Sequence, residues 1–155
     1  MRLIQCNYSQ YSSRYNKYLE GVVLPAFDKS MSGGALYDIN IYNIHFVVGL
    51  FGRPKSIKYT ANLGFNGIDT SGILVLSYDG FSAVCCGAKD SESPSHATVQ
   101  GIKGYIKLTS PAGVAKSVEY KVDKDIEVYN GDSNKNRMIN EFVAFEKMLK
   151  EKSFE

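Results

Sequence analysis

Between residues 60 and 88 the only charged side chains are Asp69 and Asp79. Asp79 is followed by Gly80, a two-residue signal for a β-hairpin. The segments on either side, 72–77 and 81–86, do not alternate polar with apolar residues. A strand with one wet face alternates, so this pattern predicts two strands covered on both faces.

Other segments fall in place around that hairpin. In residues 3–9, Ile4, Cys6 and Tyr8 point one way and Gln5, Asn7 and Ser9 the other, as in a half-buried strand. Strand composition recurs at 55–64, 70–78, 81–88, 96–100 and 104–109, the last two flanking Gly101-Ile102-Lys103. Weaker segments at 117–122 and 126–129 precede a turn at Asn130-Gly131. Ser32 is placed to cap a four-turn helix over 35–51, stopped by Gly52-Arg53-Pro54. A last helix is expected from Asn134, with Ile139, Phe142, Val143, Phe145 and Leu149 on its apolar side. Residues 10–31, with Tyr11, Tyr15 and Tyr18, show no period; such a long loop is either functional or pinned by its own aromatics.

This order predicts an α+β fold: an open, mainly antiparallel sheet with helices on one face. The 155 residues suffice for one domain, 1–155. Two helices cover one face only, so the other is expected to meet a second copy of the chain, as a homodimer or larger assembly.

Composition narrows the function. Eighteen basic against 16 acidic residues give a net charge of +2, too even for a surface that tracks nucleic acid, even with Arg14 and Lys17 among the loop tyrosines. No apolar run nears the roughly 20 residues of a membrane span, and the N-terminus lacks a signal-peptide pattern. A soluble, cytoplasmic protein without nucleic-acid or membrane partners is expected. Cys6, Cys85 and Cys86 lack CxxC spacing and read as free thiols. With His45 and His96 the only histidines, no metal site is expected. His96 reads as a solvated loop residue, and Ser77 and Ser82 lack partners that would make either a nucleophile.

The segment 35–51 carries the most chemistry. At about 100° per residue, Asp38, Tyr42 and His45 share one polar stripe while apolar residues occupy most of the remaining circumference. Such a helix is expected to be buried, and its carboxylate, phenol and imidazole to need partners. Asp38 accepting from Tyr42 would satisfy both locally. Alternatively, the stripe lines a cavity and presents a proton donor to a substrate oxygen.

The run Gly33-Gly34-Ala35-Leu36-Tyr37-Asp38-Ile39-Asn40-Ile41-Tyr42-Asn43-Ile44-His45, closing in Leu50-Phe51-Gly52, resembles a signature helix of the Gfo/Idh/MocA oxidoreductases. The stretch Val99-Gln100-Gly101-Ile102-Lys103-Gly104-Tyr105-Ile106-Lys107-Leu108 is similar to that family's Gly-x-x-Gly-x-Ile-x-Leu hairpin. The resemblance implies the C-terminal half of a two-domain dehydrogenase, with NAD or NADP held by an N-terminal Rossmann domain. It places Asp38 and Tyr42 as catalytic residues, in the pattern of the dihydrodiol dehydrogenase and glucose–fructose oxidoreductase branch. Tyr42 would hydrogen-bond the reacting oxygen and relay its proton, and Asp38 would orient it. His45, Arg14 and Tyr15 are expected to contact a sugar, polyol or dihydrodiol substrate.

The departures matter too. This sequence has no G-x-G spacing and no Glu-Lys-Pro segment, and Asn40 stands where many members have glycine. An excised or truncated domain, inert alone and binding no cofactor by itself, is therefore expected. The competing reading is a stand-alone ligand-binding or dimerisation module without redox chemistry.

Overall fold

A computed structural model describes residues 1–131 and 138–152. Eight strands form one sheet: β1 (Leu3–Ser9), β2 (Ser56–Leu63), β3 (Asp69–Tyr78), β4 (Phe81–Ala88), β5 (His96–Gln100), β6 (Gly104–Leu108), β7 (Ser117–Val122) and β8 (Asp125–Asn130). Their order is β2-β3-β4-β1-β5-β6-β7-β8. All neighbours are antiparallel except β1 and β4, which run parallel with Leu3 opposite Ser82. The expected α+β fold and its open sheet are both present.

The strand alternation fixes two faces. On one, Ile4, Cys6, Leu74, Leu76, Ala83, Cys85, Ala97, Val99 and Leu108 form the core, joined by Val47. Val47 belongs to α2 (Ile41–Phe51), which lies across this face. On the other, Val75, Val84 and Cys86 stay half-buried and Ile73 is exposed. The hairpin strands thus lack the wet face of an alternating strand, and among the described residues a helix lies across only one side of them.

The segment 35–51 is not one regular helix. Residues Leu36–Asn40 form a π-helical turn that runs directly into α2. Ser32 does not cap it: Ser32 is left-handed, with φ 55°, and closes the 3-10 turn Lys29–Met31. The cap comes from elsewhere. Leu36 donates its backbone N–H to Asp69 Oδ2 at 2.6 Å, and the Tyr59 hydroxyl donates to the same oxygen at 2.6 Å. Gly34, at φ +97°, leaves room for this, since a Cβ there would fall on Asp69 Oδ1.

Residues 10–31 are pinned by aromatics. They contain a short helix, α1 (Tyr15–Leu19), and a 3-10 turn at Pro25–Phe27. Tyr18 stacks between Phe27, at 4.7 Å between ring centroids, and Phe65, at 4.4 Å. Tyr18 and Phe27 make a second small core with Ile68, and Tyr15 and Ala26 pack against it. His96 is not in a loop but opens β5, opposite Asn7.

The last helix, α3, spans Ile139–Glu151; the expected start at Asn134 lies outside the described residues. Its apolar residues do not cover the sheet as expected: Ile139, Phe142, Val143, Phe145 and Leu149 are all exposed.

Candidate functional site

The π-helical turn and α2 set two rows of polar side chains apart. Asn40 and Asn43 face inward and are fully buried. Asn40 Nδ2 donates to the Cys85 carbonyl at 3.1 Å. Asn43 Nδ2 donates to Asn40 Oδ1 at 2.9 Å and to the Cys86 carbonyl at 3.0 Å. The two amides tie the helix to β4 through its main-chain carbonyls. Gly87 lets them in, because a Cβ there would stand 2.8 Å from the Asn40 Cβ. A widened turn of this kind recurs at functional sites.

Asp38, Tyr42 and His45 face outward together. The expectation of a helix buried on all sides fails here. Its inward positions go to the two asparagines and Val47, which leaves the stripe of three on the open side. Asp38 does not pair with Tyr42 either. Its Oδ2 accepts from Lys89 Nζ at 2.6 Å, and the aspartate side chain remains 46% exposed while the lysine is 3% exposed.

The Tyr42 ring is held from two sides. Tyr8 of β1 lies 5.7 Å away between ring centroids. Gly113 abuts the ring so closely that a Cβ would stand 2.8 Å from Tyr42 Cδ1. Tyr42 thus has a fixed ring and an edge open to solvent. His45 is exposed on the next turn of α2.

Arg14 and Tyr15 belong to a different element, at the start of α1. Arg14 is exposed, and among the described residues no hydrogen bond or ion pair joins it to Asp38 or Tyr42. Tyr15 packs on Tyr11, Tyr18 and Phe27. Burial raises its phenol pKa, with a smaller push from the Asp90 carboxylate. Phe27 links the two regions, since its ring lies 4.4 Å from Lys89 Nζ.

Lys89, Tyr8 and Gly113 were not among the residues that sequence reasoning selected. Lys89 carries the clearest signal in hindsight: it is the first charge after the nearly neutral stretch that ends at Ala88.

Nearby ionisable groups are committed to structure. Burial and the hydrogen bond to Asp69 push the Tyr59 phenol far above its usual value. The Cys6 thiol is raised by its hydrogen bond with Cys85 and by burial, and the Cys86 thiol by burial. The cysteines are free thiols, and these shifts oppose thiolate chemistry. No cluster of three His, Cys, Asp or Glu side chains able to hold a metal occurs among the described residues. No described helix is long and apolar enough to cross a membrane.

A surface cavity of about 560 Å³ is not lined by this row. It is lined by Gln5, Asn7, Val84, Cys86 and His96 of the sheet and by Pro94.

Comparison with known proteins shows the family. The family described as GFO/IDH/MocA C-terminal domain matches residues 1–107. The chain is 43% identical over 108 residues to the scyllo-inositol 2-dehydrogenase (NADP(+)) IolU of Bacillus subtilis strain 168, covering 70% of this chain and 33% of that protein. It is 36% identical over 88 residues to the trans-1,2-dihydrobenzene-1,2-diol dehydrogenase of Xenopus tropicalis, covering 55% of this chain and 27% of the relative. Among solved structures, the aldose-aldose oxidoreductase from Caulobacter crescentus shares the fold with a TM-score of 0.73 at 16% identity, over 96% of this chain and 45% of that one. The chain therefore spans about a third of the length of the curated relatives it matches.

Proposed function

Because the chain belongs to the GFO/IDH/MocA C-terminal domain family, we propose that it is the substrate-side half of an NAD(P)-dependent dehydrogenase acting on a polyol, sugar or dihydrodiol. The observation that carries this reading is the outward row Asp38–Tyr42, a half-exposed carboxylate beside an open phenol on a rigid turn. A polyol offers several hydroxyls at fixed spacing, and the row offers one acceptor and one donor–acceptor to hold them.

Tyr42 takes the reacting oxygen, hydrogen-bonding it and holding or relaying its proton. Asp38 accepts from the same or an adjacent hydroxyl and fixes its orientation. His45 gives a second polar contact one turn on. Arg14 and Tyr15 reach substrate only at its far end, since their helix lies beyond Phe27.

This chain's own residues do not fit a dinucleotide. It lacks G-x-G spacing, and the amide at the start of the helical segment is already taken by the Asp69 carboxylate, which opposes a phosphate there. NAD or NADP is then held by a Rossmann domain outside these 155 residues, which also supplies the second wall of the cleft. The uncovered sheet face, with Ile73, Val75 and Val84, meets a second copy of this chain.

The test is kinetic. In the complete two-domain protein, Tyr42→Phe is expected to lower kcat by about 10²–10⁴-fold, the usual worth of a positioned proton donor. The 155-residue chain mixed with NAD(P) and scyllo-inositol is expected to show no turnover. Full activity of the Tyr42→Phe enzyme, or turnover by the chain alone, overturns the reading.

A further inference from the structure

Lys89 is held more tightly than a lysine needs to be for solubility or charge balance. Its backbone N–H donates to the Thr70 carbonyl at 2.8 Å and its carbonyl accepts from Ser12 at 2.9 Å. Its side chain runs inward, 3% exposed, and the ammonium donates to the Ala26 carbonyl and to Asp38 Oδ2 while lying over the Phe27 ring. The Ala26 carbonyl is itself fixed, accepting from Gly34 at 3.1 Å.

The ion pair is lopsided. A buried ammonium needs a partner, whereas a carboxylate 46% exposed can be solvated by water. Stability alone is served as well by an apolar side chain in the lysine slot. What the lysine adds is direction: it holds Oδ2, and among the described residues Oδ1 has no hydrogen-bond partner. A carboxylate on a surface helix otherwise samples several rotamers.

We propose that Lys89 is a positioning residue for Asp38, clamping Oδ2 so that Oδ1 is presented, on the face shared with Tyr42, to a hydroxyl of a bound polyol. The polyol part rests on the function proposed above; the clamp itself does not. Pre-organising an acceptor in this way removes the ordering cost of substrate capture.

The experiment uses the 155-residue chain and reads Asp38 directly. Three-bond couplings from the Asp38 backbone to Cγ report its χ1 rotamer by NMR. The unmodified chain is expected to show one rotamer and Lys89→Met an average over several, with Lys89→Gln in its place should that variant not fold. Leu76→Ala, a destabilised core variant distant from the pair, is expected to keep the single rotamer, which separates positioning from general loosening. A single rotamer in the Lys89 variant overturns the clamp.

A second arm titrates scyllo-inositol into the complete two-domain protein by calorimetry. Lys89→Met and Asp38→Asn are each expected to weaken binding about tenfold, and the double variant no more than either alone, as for residues acting as one unit. Additive losses, or wild-type binding by Lys89→Met, overturn the presentation of Oδ1. Absence of binding by the unmodified two-domain protein, with the rotamer contrast intact, removes the polyol reading and leaves the clamp standing.

Discussion

Asp90 shows how single side chains set the pH response of this domain. Burial alone raises its pKa, but hydrogen bonds from Thr70, Ser71 and Ser91, with its own backbone amide, outweigh that and hold it below the usual carboxylate range. The folded state therefore binds this proton less tightly than the unfolded chain. The stabilisation is complete above about pH 4, the range of a free aspartate, and is lost as pH falls through the lower folded value. Urea midpoints measured between pH 2 and 6 are expected to drop on the acid side, and Thr70→Val to flatten that slope; an unchanged slope counts against the assignment. At this scale the sequence was legible where neighbours are local. Asp38, Tyr42 and His45 could be aligned by counting turns, whereas the partner of Asp38 stands 51 positions away at Lys89. No periodicity carries that distance.

Elements were legible wherever composition and alternation agree. The Asp79-Gly80 hairpin and most strand limits follow from the pattern, because each depends on contacts within a few residues. The cap of the helical segment did not follow, since Asp69 replaces Ser32 from a strand 33 positions away. Gly34→Ala is expected to destabilise the domain by about 1–3 kcal/mol or more through left-handed strain plus collision with Asp69; a thermal melt checks it, and a wild-type Tm refutes the cap geometry. The π-helical turn was hidden as well: no local breaker marks it, and the Asn40 and Asn43 bonds to β4 beside it span more than 40 positions. In α3 the apolar residues were legible, but a partner for them was not. A 13-residue helix without a packed face is marginal in water. Hydrogen exchange in this chain is expected to be fast for the amides of Phe142 through Leu149 and slow for those of Ile4, Cys6 and Leu76. Strong protection in α3 would show that its apolar side is covered.

Two surfaces of the molecule stand open. The outward row of Asp38, Tyr42 and His45 is exposed, and the sheet face opposite α2 leaves Ile73 exposed with Val75 and Val84 half-buried. Sedimentation velocity at micromolar concentration is expected to show self-association, weakened by Val84→Asp; a single monomeric species in the unmodified chain refutes that contact. The order of elements set the fold class at this scale, but not which strands are neighbours.

That adjacency has a consequence for how the chain assembles. Strands β2 to β4 and β5 to β8 are two ribbons, each closed by turns between successive strands. β1 is the seam between them: Leu3 faces Ser82 on one side and Gln100 on the other. Each ribbon can zip up early from short loops, but the seam waits until about a hundred residues are available to it. Slow, late closure at Ile4 and Cys6, after the ribbons have formed, is the kinetic signature this topology imposes.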